Sequence, residues 1–299
     1  MRIALTGGTG FVGEHVLRLA LARGWQVTAL ARREQPPRRD VSWTMGSLEQ
    51  PDALARLAEG ADAVIHVAGV INARDRAGFA AGNIAGTQAM LAAAQAAGAK
   101  RFVHVSSLAA REPGLSDYGW SKAESEKAVA AAPLDWATVR PPAVYGPGDR
   151  EMLELFRMAK RGLVALPPGG RLSIIHAEDL ARLLLTLAEG GDGVIYEPDD
   201  GVGSGWSHGE FARALGEAVG RRVRTLAMPA PLLRLASLFE GAMRGSGAKL
   251  TADRVRYFCH PDWVAAPQRH PPAALWHAQV ATPTGLKATA DWYRANGWL

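Results

Sequence analysis

This chain has almost no cysteine and no long apolar run. Its 299 residues include a single cysteine, Cys259, so no disulfide can form within the chain, and a reducing cytoplasm is the expected location. Cys259 and His260 have no partner at metal-ligand spacing, so we expect no metal site. The first strand-like run begins at residue 2 and no apolar run has the length of a bilayer span, so we expect neither a signal peptide nor a membrane span.

Charge of one sign is only slightly in excess. The chain has 34 Lys and Arg against 29 Asp and Glu, a formal net charge of +5 at pH 7 with neutral histidines. The basic residues are scattered along the sequence, except where Arg32 and Arg33 are followed by Arg38 and Arg39. This distribution indicates a mild preference for anionic ligands and no nucleic-acid partner; a small-molecule substrate is expected.

Glycine, in contrast, is abundant, and one glycine run is placed informatively. The segment Thr6-Gly7-Gly8-Thr9-Gly10-Phe11-Val12-Gly13 directly follows a short apolar run at residues 3–5. Glycines at this spacing, between a strand and a helix, form a turn whose backbone N–H groups can bind a pyrophosphate. The alternative is a tight turn without a ligand. The candidate cofactor-binding residues here are Gly7, Thr9, Gly10, Phe11, Val12 and Gly13.

A tyrosine and a lysine four residues apart form the second informative motif. Tyr118 and Lys122 follow Ser106 and Ser107, which end another apolar run. Residues at i and i+4 lie on one face of a helix, where the ammonium can favour the phenolate form of the tyrosine. Each motif alone has a non-functional interpretation, which for Tyr118 and Lys122 is an exposed surface pair. Found in this order, they predict a dinucleotide-dependent oxidoreductase.

Apolar runs alternate with amphipathic stretches over the first two hundred residues. Strands that are apolar throughout and separated by helices are typical of a parallel sheet covered on both faces, so we predict a doubly wound α/β fold. The predicted strands are 2–5, 26–31, 42–45, 63–68, 101–106, 137–140 and 194–196. The predicted helices are 10–22, 51–59, 79–97, 118–130, 151–160 and 177–189.

This alternation ends after Tyr196. Ser207 and Glu210 form a capping-box pattern that opens a helix to residue 219, a strand is predicted at 223–227, and a last helix begins at Thr282. Residues 229–243 place Leu232, Leu235, Ala236, Phe239 and Met243 on one helical face. We predict a dinucleotide-binding domain at 1–197, with 145–175 contributing to the substrate cleft, and a smaller, mostly helical substrate-binding cap at 198–299.

With these residues in place, the chain resembles the short-chain dehydrogenase/reductase family, in its extended or a closely allied, epimerase/dehydratase-like type. The matching segments are TGGTGFVG (6–13), VIHVAG (64–69), NIAGT (83–87), RFVHVSS (101–107), YGWSK (118–122) and RPPAVYGPGD (140–149). The resemblance is specific over residues 1–190 and loose beyond them. It implies a Rossmann-type sheet, and homodimers built through the helices beside the active site are common in the family.

The resemblance also implies roles for individual residues. Tyr118 would be the general acid/base, Lys122 would bind the nicotinamide ribose, and Ser107 would donate to the substrate oxygen, with Ser106 as the fallback if the strand register differs. Asn83 would bond the backbone of its own helix and position water behind the lysine; the alternative is a purely structural asparagine. The remaining cofactor contacts that it implies are Ser47, Leu48, Ala68, Gly69, Ser106, Pro141 and Val144.

The choice of cofactor follows from the end of the second predicted strand. An NAD-specific site places Asp or Glu there for the ribose 2′-hydroxyl, whereas this chain has Arg32 and Arg33. Guanidinium groups pair well with a 2′-phosphate, so NADP(H) is favoured and NAD(H) is the alternative. A solvated strand end would also account for the two arginines.

Two departures from the family pattern bear on the substrate. Ser47 stands where relatives often carry the aspartate that reads the adenine, and only 11 positions separate Ser107 from Tyr118, where sugar-nucleotide enzymes usually have a longer insert. Together with the apolar segments 108–110 and 142–144, the short connection favours a hydrophobic ketone or secondary alcohol. The alternatives are a sugar-nucleotide epimerase or dehydratase, with Arg140, Arg150 and Arg171 on a substrate phosphate, and a non-catalytic nucleotide-binding subunit.

Overall fold

The computed structural model describes residues 1–167, 169–190, 193–235, 237 and 251–299, and the chain divides into two units. The first consists of Met1–Arg140, Leu180–Glu197 and Pro271–Trp276, and the second of Pro141–Asp179, Pro198–His270 and His277–Leu299. The predicted domain boundary after residue 197 is one of the points where the chain passes between the units. The second unit also takes in residues 141–179, which include the whole segment predicted to contribute to the substrate cleft, 145–175.

The strands in chain order are β1 (Arg2–Thr6), β2 (Gln26–Ala31), β3 (Val41–Met45), β4 (Ala63–His66), β5 (Arg101–Val105), β6 (Asp135–Val139), β7 (Ala143–Tyr145), β8 (Leu163–Leu166), β9 (Arg171–Leu172), β10 (Ile174–His176), β11 (Val194–Tyr196), β12 (Trp206–Ser207), β13 (Arg224–Ala227) and β14 (Asp262–Trp263). Seven of them form one parallel sheet in the order β11-β6-β5-β4-β1-β2-β3. These are the seven strands predicted over the first two hundred residues, and their ends agree within two residues.

The helices are α1 (Phe11–Ala22), α2 (Pro51–Ala58), α3 (Arg76–Phe79), α4 (Gly86–Ala96), α5 (Asp117–Ala130), α6 (Leu153–Lys160), α7 (Ala177–Glu189), α8 (His208–Val219), α9 (Ala252–Phe258) and α10 (Thr282–Ala295). A π-helical segment, Ala80–Ala85, joins α3 to α4, and a 3-10 turn, Leu108–Arg111, precedes α5. Among the described residues, no helix combines the length and the hydropathy that a bilayer crossing needs.

The order of the strands determines where this sheet can bind a ligand. From β1 the chain moves outward through β2 to β3, and it then returns to the other side of β1 with β4. At such a reversal the connecting loops diverge, and a crevice opens beyond the carboxyl ends of the two central strands. Thr6 ends β1 and His66 ends β4, so the residues that follow these two positions border the crevice. The structure confirms the Rossmann-type sheet that the sequence predicts.

The second unit has its own core, in which α6, α8 and α10 pack together. Phe156, Phe211, Leu286 and Tyr293 are at most 2% exposed and belong to one cluster of buried side chains. The predicted capping box is present: the Ser207 hydroxyl accepts from the Glu210 N–H, and the Glu210 carboxylate accepts from the Ser207 N–H. Small sheets accompany the helices, with β7 beside β10, β8 beside β13, and β9 between β12 and β14.

The helix predicted at 229–243 lies only partly within the described residues. Ala236, Phe239 and Met243 lie outside them, whereas Leu232 and Leu235 are described and are 51% and 64% exposed. The described part of this predicted face therefore does not pack into a core.

Candidate active site

The glycine turn between β1 and α1 accepts no side chain at two positions. Gly7 has a φ of +73°, and a Cβ there would lie 2.8 Å from the Ala68 backbone nitrogen. A Cβ on Gly13 would lie 2.0 Å from the Gly7 carbonyl oxygen, because the first turn of α1 packs directly on the glycine turn. The Gly10 N–H donates to the Gly7 carbonyl at 2.9 Å and closes the turn. Only glycine fits at positions 7 and 13.

The first turn of α1 presents backbone donors to this crevice. Its N-cap residue is Gly10, which has no side chain to accept from the first N–H groups of the helix. The backbone N–H groups of Phe11, Val12 and Gly13 have no acceptor within the helix, and the helix dipole adds a partial positive charge at its N-terminus. This glycine-bounded cradle fits the pyrophosphate of a dinucleotide.

A chain of buried hydrogen bonds connects the end of β1 to α4. The Thr6 hydroxyl lies 2.8 Å from His66 Nδ1, and His66 Nε2 lies 3.2 Å from the Thr87 hydroxyl, which donates to the Asn83 carbonyl. Thr6 also accepts from the Ala68 N–H. Burial, aided by the charge of Lys122, lowers the pKa of His66 to about 3, so this imidazole is neutral and serves as a fixed link.

Asn83 is buried within the π-helical segment, and its side chain bonds outside its own helix. Its Oδ1 accepts from the Val70 N–H at 2.7 Å, and its Nδ2 donates to the Val70 carbonyl and to the Ser121 hydroxyl, both at 2.9 Å. The expectation that this side chain bonds the backbone of its own helix is therefore wrong. The three bonds hold the loop after β4 against α5, which positions Ala68 and Gly69 at the crevice.

Lys122 is buried on α5 and its ammonium group is fixed in place. Its Nζ donates to the Val105 carbonyl at 2.9 Å, and the side chain is 4% exposed. A Cβ on Gly69 would lie 3.0 Å from this Nζ, so the glycine lets the loop approach the ammonium closely. Burial lowers the pKa of Lys122 to about 8, and the charge of Glu126 opposes that shift. The structure therefore rules out the alternative of an exposed Tyr118–Lys122 surface pair.

Tyr118 lies in the first turn of α5, one turn before Lys122. Ser116 caps this helix by accepting from the Gly119 N–H at 2.9 Å. The Tyr118 ring is partly buried, with its centroid 6.0 Å from that of Phe79. Upstream, the Ser107 hydroxyl accepts from the Ala109 N–H at 3.2 Å and retains its own hydrogen for donation. The nearby apolar segment 108–110 is buried.

Ser106, the fallback for Ser107, has a different environment. Its hydroxyl donates to the Glu126 carboxylate, which also accepts from Arg140 Nε at 2.8 Å and from Arg140 Nη2 at 2.6 Å. Arg140 Nη1 donates to Glu197 at 3.2 Å. Glu126, which sequence reasoning missed, lies one turn beyond Lys122 on α5, and this spacing was the available signal. Of the two serines, only Ser107 is left with a hydroxyl hydrogen to donate to a ligand.

The three arginines considered for a substrate phosphate are all engaged by the protein. Burial acts to lower the pKa of Arg140, but the hydrogen bonds and charges of Glu126 and Glu197 outweigh it and raise that pKa. The Arg171 guanidinium donates to the backbone carbonyls of residues 204 and 205. Arg150 lies over the ring of Trp298, 4.8 Å from its centroid. This arrangement does not favour the sugar-nucleotide alternative.

Arg32 and Arg33 follow directly from β2 and are exposed. Neither guanidinium pairs with a carboxylate in the part of the chain that the structure describes, so both are available to an anion. Arg38, in contrast, pairs with Glu14 at 2.9 Å. The end of β2 adjoins β1, which ends at the glycine turn.

Ser47 and Leu48 follow β3. The Ser47 N–H donates to the Gln50 side chain at 3.0 Å, and the Leu48 side chain packs against Gly86. Apart from Arg150 and Arg171, the candidate residues described above belong to the first unit. Pro141 and Val144, the remaining candidates, belong to the second unit, where Val144 lies in β7.

Comparison with known proteins agrees with this geometry. The model of the NAD dependent epimerase/dehydratase family matches residues 3–197. A protein named ceramide reductase from Caulobacter vibrioides is 40% identical over 310 residues, which cover 99% of this chain and 96% of that protein. A 4-hydroxy-2-methyl-3-oxo-4-farnesyl-3,4-dihydroquinoline-1-oxide ketoreductase from Stigmatella aurantiaca is 30% identical over 230 residues, 68% of this chain and 69% of that protein.

Solved structures with the same fold include sugar-nucleotide enzymes. MoeE5 in complex with UDP-glucose and NAD superposes with a TM-score of 0.77 at 23% identity, covering 99% of both chains. The UDP-glucose 4-epimerase from Thermotoga maritima superposes with a TM-score of 0.76 at 21% identity, again over 99% of both chains. At these identities the likeness concerns the fold.

Proposed function

This chain is an NAD(P)-dependent oxidoreductase that belongs to the NAD dependent epimerase/dehydratase family, of the extended short-chain dehydrogenase/reductase type, and we propose that it reduces a ketone on a hydrophobic, long-chain substrate with NADPH. The observation that carries the proposal has two parts: on α5, Tyr118 precedes a buried, fixed Lys122 by one turn, and upstream of this helix Ser107 keeps a hydroxyl hydrogen to donate.

The proposed proton donor is Tyr118. When bound, the nicotinamide supplies the hydride to the carbonyl carbon. As negative charge develops on the carbonyl oxygen, the Tyr118 phenol transfers its proton to that oxygen, and the Ser107 hydroxyl donates a hydrogen bond to it. In the reverse direction the phenolate takes the proton from the alcohol. Two hydrogen-bond donors directed at one oxygen are suited to carbonyl reduction.

Lys122 has two proposed roles. Its ammonium charge stabilises the phenolate that Tyr118 becomes after proton transfer, and its remaining N–H groups bind the ribose hydroxyls of the cofactor. The bond to the Val105 carbonyl occupies one of its three donors and restricts where the ammonium lies. Because Lys122 serves both the proton donor and the cofactor, its loss affects chemistry and binding together.

We propose NADP(H) as the preferred cofactor because Arg32 and Arg33 are exposed, and pair with no carboxylate among the described residues, where the ribose 2′-phosphate is expected to lie. The pyrophosphate would lie on the backbone N–H groups of Phe11 and Val12, at the glycine turn that the close packing at Gly7 and Gly13 shapes.

A hydrophobic substrate is supported by two observations. The relatives at 40% and 30% identity are named for a ceramide and for a farnesyl-bearing quinoline, and both names denote molecules with long hydrocarbon parts. In addition, Arg140, Arg150 and Arg171, the cations considered for a nucleotide sugar, are engaged within the protein. We therefore propose a ketone on a lipid-like chain as the substrate class.

The test is NADPH oxidation with a panel of long-chain ketones and, separately, nucleotide sugars. Tyr118→Phe should abolish turnover and leave NADPH affinity within about threefold, whereas Lys122→Ala should weaken both. Lys127→Ala is the matched control, since Lys127 lies exposed on the same helix and pairs with Glu124. Turnover by Tyr118→Phe at the rate of the unaltered protein would remove Tyr118 as the proton donor. Turnover of a nucleotide sugar alone would overturn the substrate class.

A further inference from the structure

The second unit contains a basic groove whose cations come from two separate parts of the chain. The described residues enclose a groove volume of about 770 Å³, and the charged side chains that line it are Arg157, Lys160, Arg161, Arg221 and Arg222. The first three belong to the end of α6, and the other two follow α8. In the sequence these five cations stand in two short, widely separated stretches, so the groove forms only in the folded unit.

Two glycines bring these stretches together. Gly220, with a φ of +75°, ends α8, and the Arg221 N–H donates back to the Gly216 carbonyl at 2.8 Å. Gly162, with a φ of +84°, turns the chain from α6 into β8, and its carbonyl accepts from the Arg224 N–H at 2.9 Å. A Cβ on Gly162 would lie 3.6 Å from the Arg222 carbonyl oxygen, so the two basic segments are in contact through their backbones.

Most of the positive charge in the groove is uncompensated. Arg157 is engaged, with Nη1 on Glu154 at 2.6 Å and Nε on the Trp298 carbonyl at 3.1 Å. The other four cations are exposed, and in the described ranges none of them pairs with a carboxylate. A cation at a helix C-terminus interacts favourably with the helix dipole, but the C-termini of α6 and α8 each carry only about half a negative charge. Four exposed cations exceed that requirement.

Exposed leucines lie next to these cations. In the parallel pair of β8 and β13, Leu163 pairs with Arg224, and Ala165 pairs with Leu226. Paired residues and residues two apart in a strand point to the same side, so these four side chains share one face of the small sheet. Leu163 and Leu226 are 46% and 47% exposed. The basic groove is therefore continuous with a face that carries both hydrocarbon and charge.

We propose that this surface, the basic groove together with the Leu163–Leu226 face, docks the second unit on an anionic phospholipid membrane. Cations spread over the ends of two helices, on side chains that reach into solvent, suit a plane of phosphate groups better than one enclosed small anion. Leucines beside them can enter the headgroup region, as on peripheral membrane proteins. The proposal goes beyond the proposed reductase activity and does not depend on it.

The test is co-sedimentation of the full chain with vesicles of phosphatidylcholine, with and without about one phosphatidylglycerol in three lipids. We expect binding to the anionic vesicles only, weakened by added salt. Each arginine near such a surface contributes about 1 kcal/mol, so the double variant Arg221→Gln/Arg222→Gln should bind roughly 10- to 30-fold more weakly. Leu226→Ala should weaken binding at high salt, where the apolar contact carries more of the affinity.

The matched control is Arg39→Gln/Arg56→Gln, which removes two exposed charges from the first unit and should leave vesicle binding within about twofold. Reductase activity on a water-soluble ketone should be unchanged in the groove variant, which separates docking from catalysis. Equal retention on neutral vesicles, equal loss in the control, or saturable binding of inorganic phosphate or duplex DNA in place of vesicles would each overturn the proposal.

Discussion

Removing the carboxylate of Glu126 should destabilise the first unit strongly, although this residue is not expected to touch the cofactor. Glu126 is 6% exposed and accepts hydrogen bonds from Ser106 and from two nitrogens of Arg140. In Glu126→Gln one oxygen remains as an acceptor, and the new amide N–H₂ faces the guanidinium, where donor meets donor. The variant therefore leaves Arg140, a cation whose side chain is 12% exposed, with only part of its partners.

The magnitude follows from what Arg140 retains. Breaking a buried ion pair by removing one partner costs about 3–5 kcal/mol, because the remaining charge is left uncompensated. Arg140 keeps the carboxylate of Glu197 at 3.2 Å, so we expect the lower end, about 3 kcal/mol. Glu124→Gln on the same helix is the matched control. Its carboxylate is partly exposed and pairs with Lys127 at 2.7 Å, a contact worth about 0.3–0.5 kcal/mol.

The assay is thermal unfolding by calorimetry, with the transition of the first unit compared among the three proteins. For a unit of this size 1 kcal/mol corresponds to about 2–4 °C, so Glu126→Gln should lower the Tm by about 6–12 °C and Glu124→Gln by less than about 2 °C. If the two variants melt within about 1 °C of each other, the Glu126–Arg140 pair does not stabilise the first unit by about 3 kcal/mol.

Three further outcomes are expected. Gly13→Ala should abolish NADPH binding in a fluorescence titration because its Cβ would overlap the Gly7 carbonyl. Gly114→Ala is the control and should bind NADPH normally, because its Cβ would have no atom within 4 Å. Equal NADPH binding by the two variants would contradict a pyrophosphate site at the glycine turn. Arg32→Ala/Arg33→Ala should weaken NADPH binding about 10- to 100-fold and leave NADH binding unchanged, and equal affinities of the unaltered protein for both cofactors would refute the preference. The pKa of His66 is about 3 in the folded state, below its ordinary value of 6.5, so between these pH values the unfolded chain binds a proton that the folded chain does not. The free energy of unfolding should therefore be at its full value above pH 6.5 and fall below it, by about 2 kcal/mol at pH 5. Equal urea midpoints at pH 7.5 and pH 5 would contradict this.

The central sheet was predictable because five of its seven strands, all except β3 and β11, are buried along most of their length. Residues 3–5 and 63–66 are apolar in nearly every position, so these runs do not show the spacing of an amphipathic helix. All seven strands were predicted. The strands of the second unit were harder: β7, β9, β10, β12 and β14 have two or three residues each, too few to show a period of two. Of the strands there, only β13 was predicted.

The side-chain pairings of the candidate site were less predictable than its residues. The sequence shows Arg140 as a charge beside a proline, and only the adjacency of β5 and β6 brings it to Ser106 and Glu126. The basic groove escaped notice for the same reason, since Arg161 and Arg221 meet through the glycine turns. Asn83 was found by its motif, but the π-helical segment that directs its amide toward Val70 has no sequence signature that we used.

The interleaving of the two units has a consequence for how the protein is synthesised. The chain passes between the units five times, and the edge strand β11 of the first unit is made only after residues 141–179 of the second. Phe156 of α6 leaves the ribosome long before Phe211 and Tyr293, which complete the core around it. A nascent chain therefore carries the apolar face of α6 uncovered through much of translation and offers chaperones a binding site during that time. A gene cut after residue 197 would make this transient state permanent.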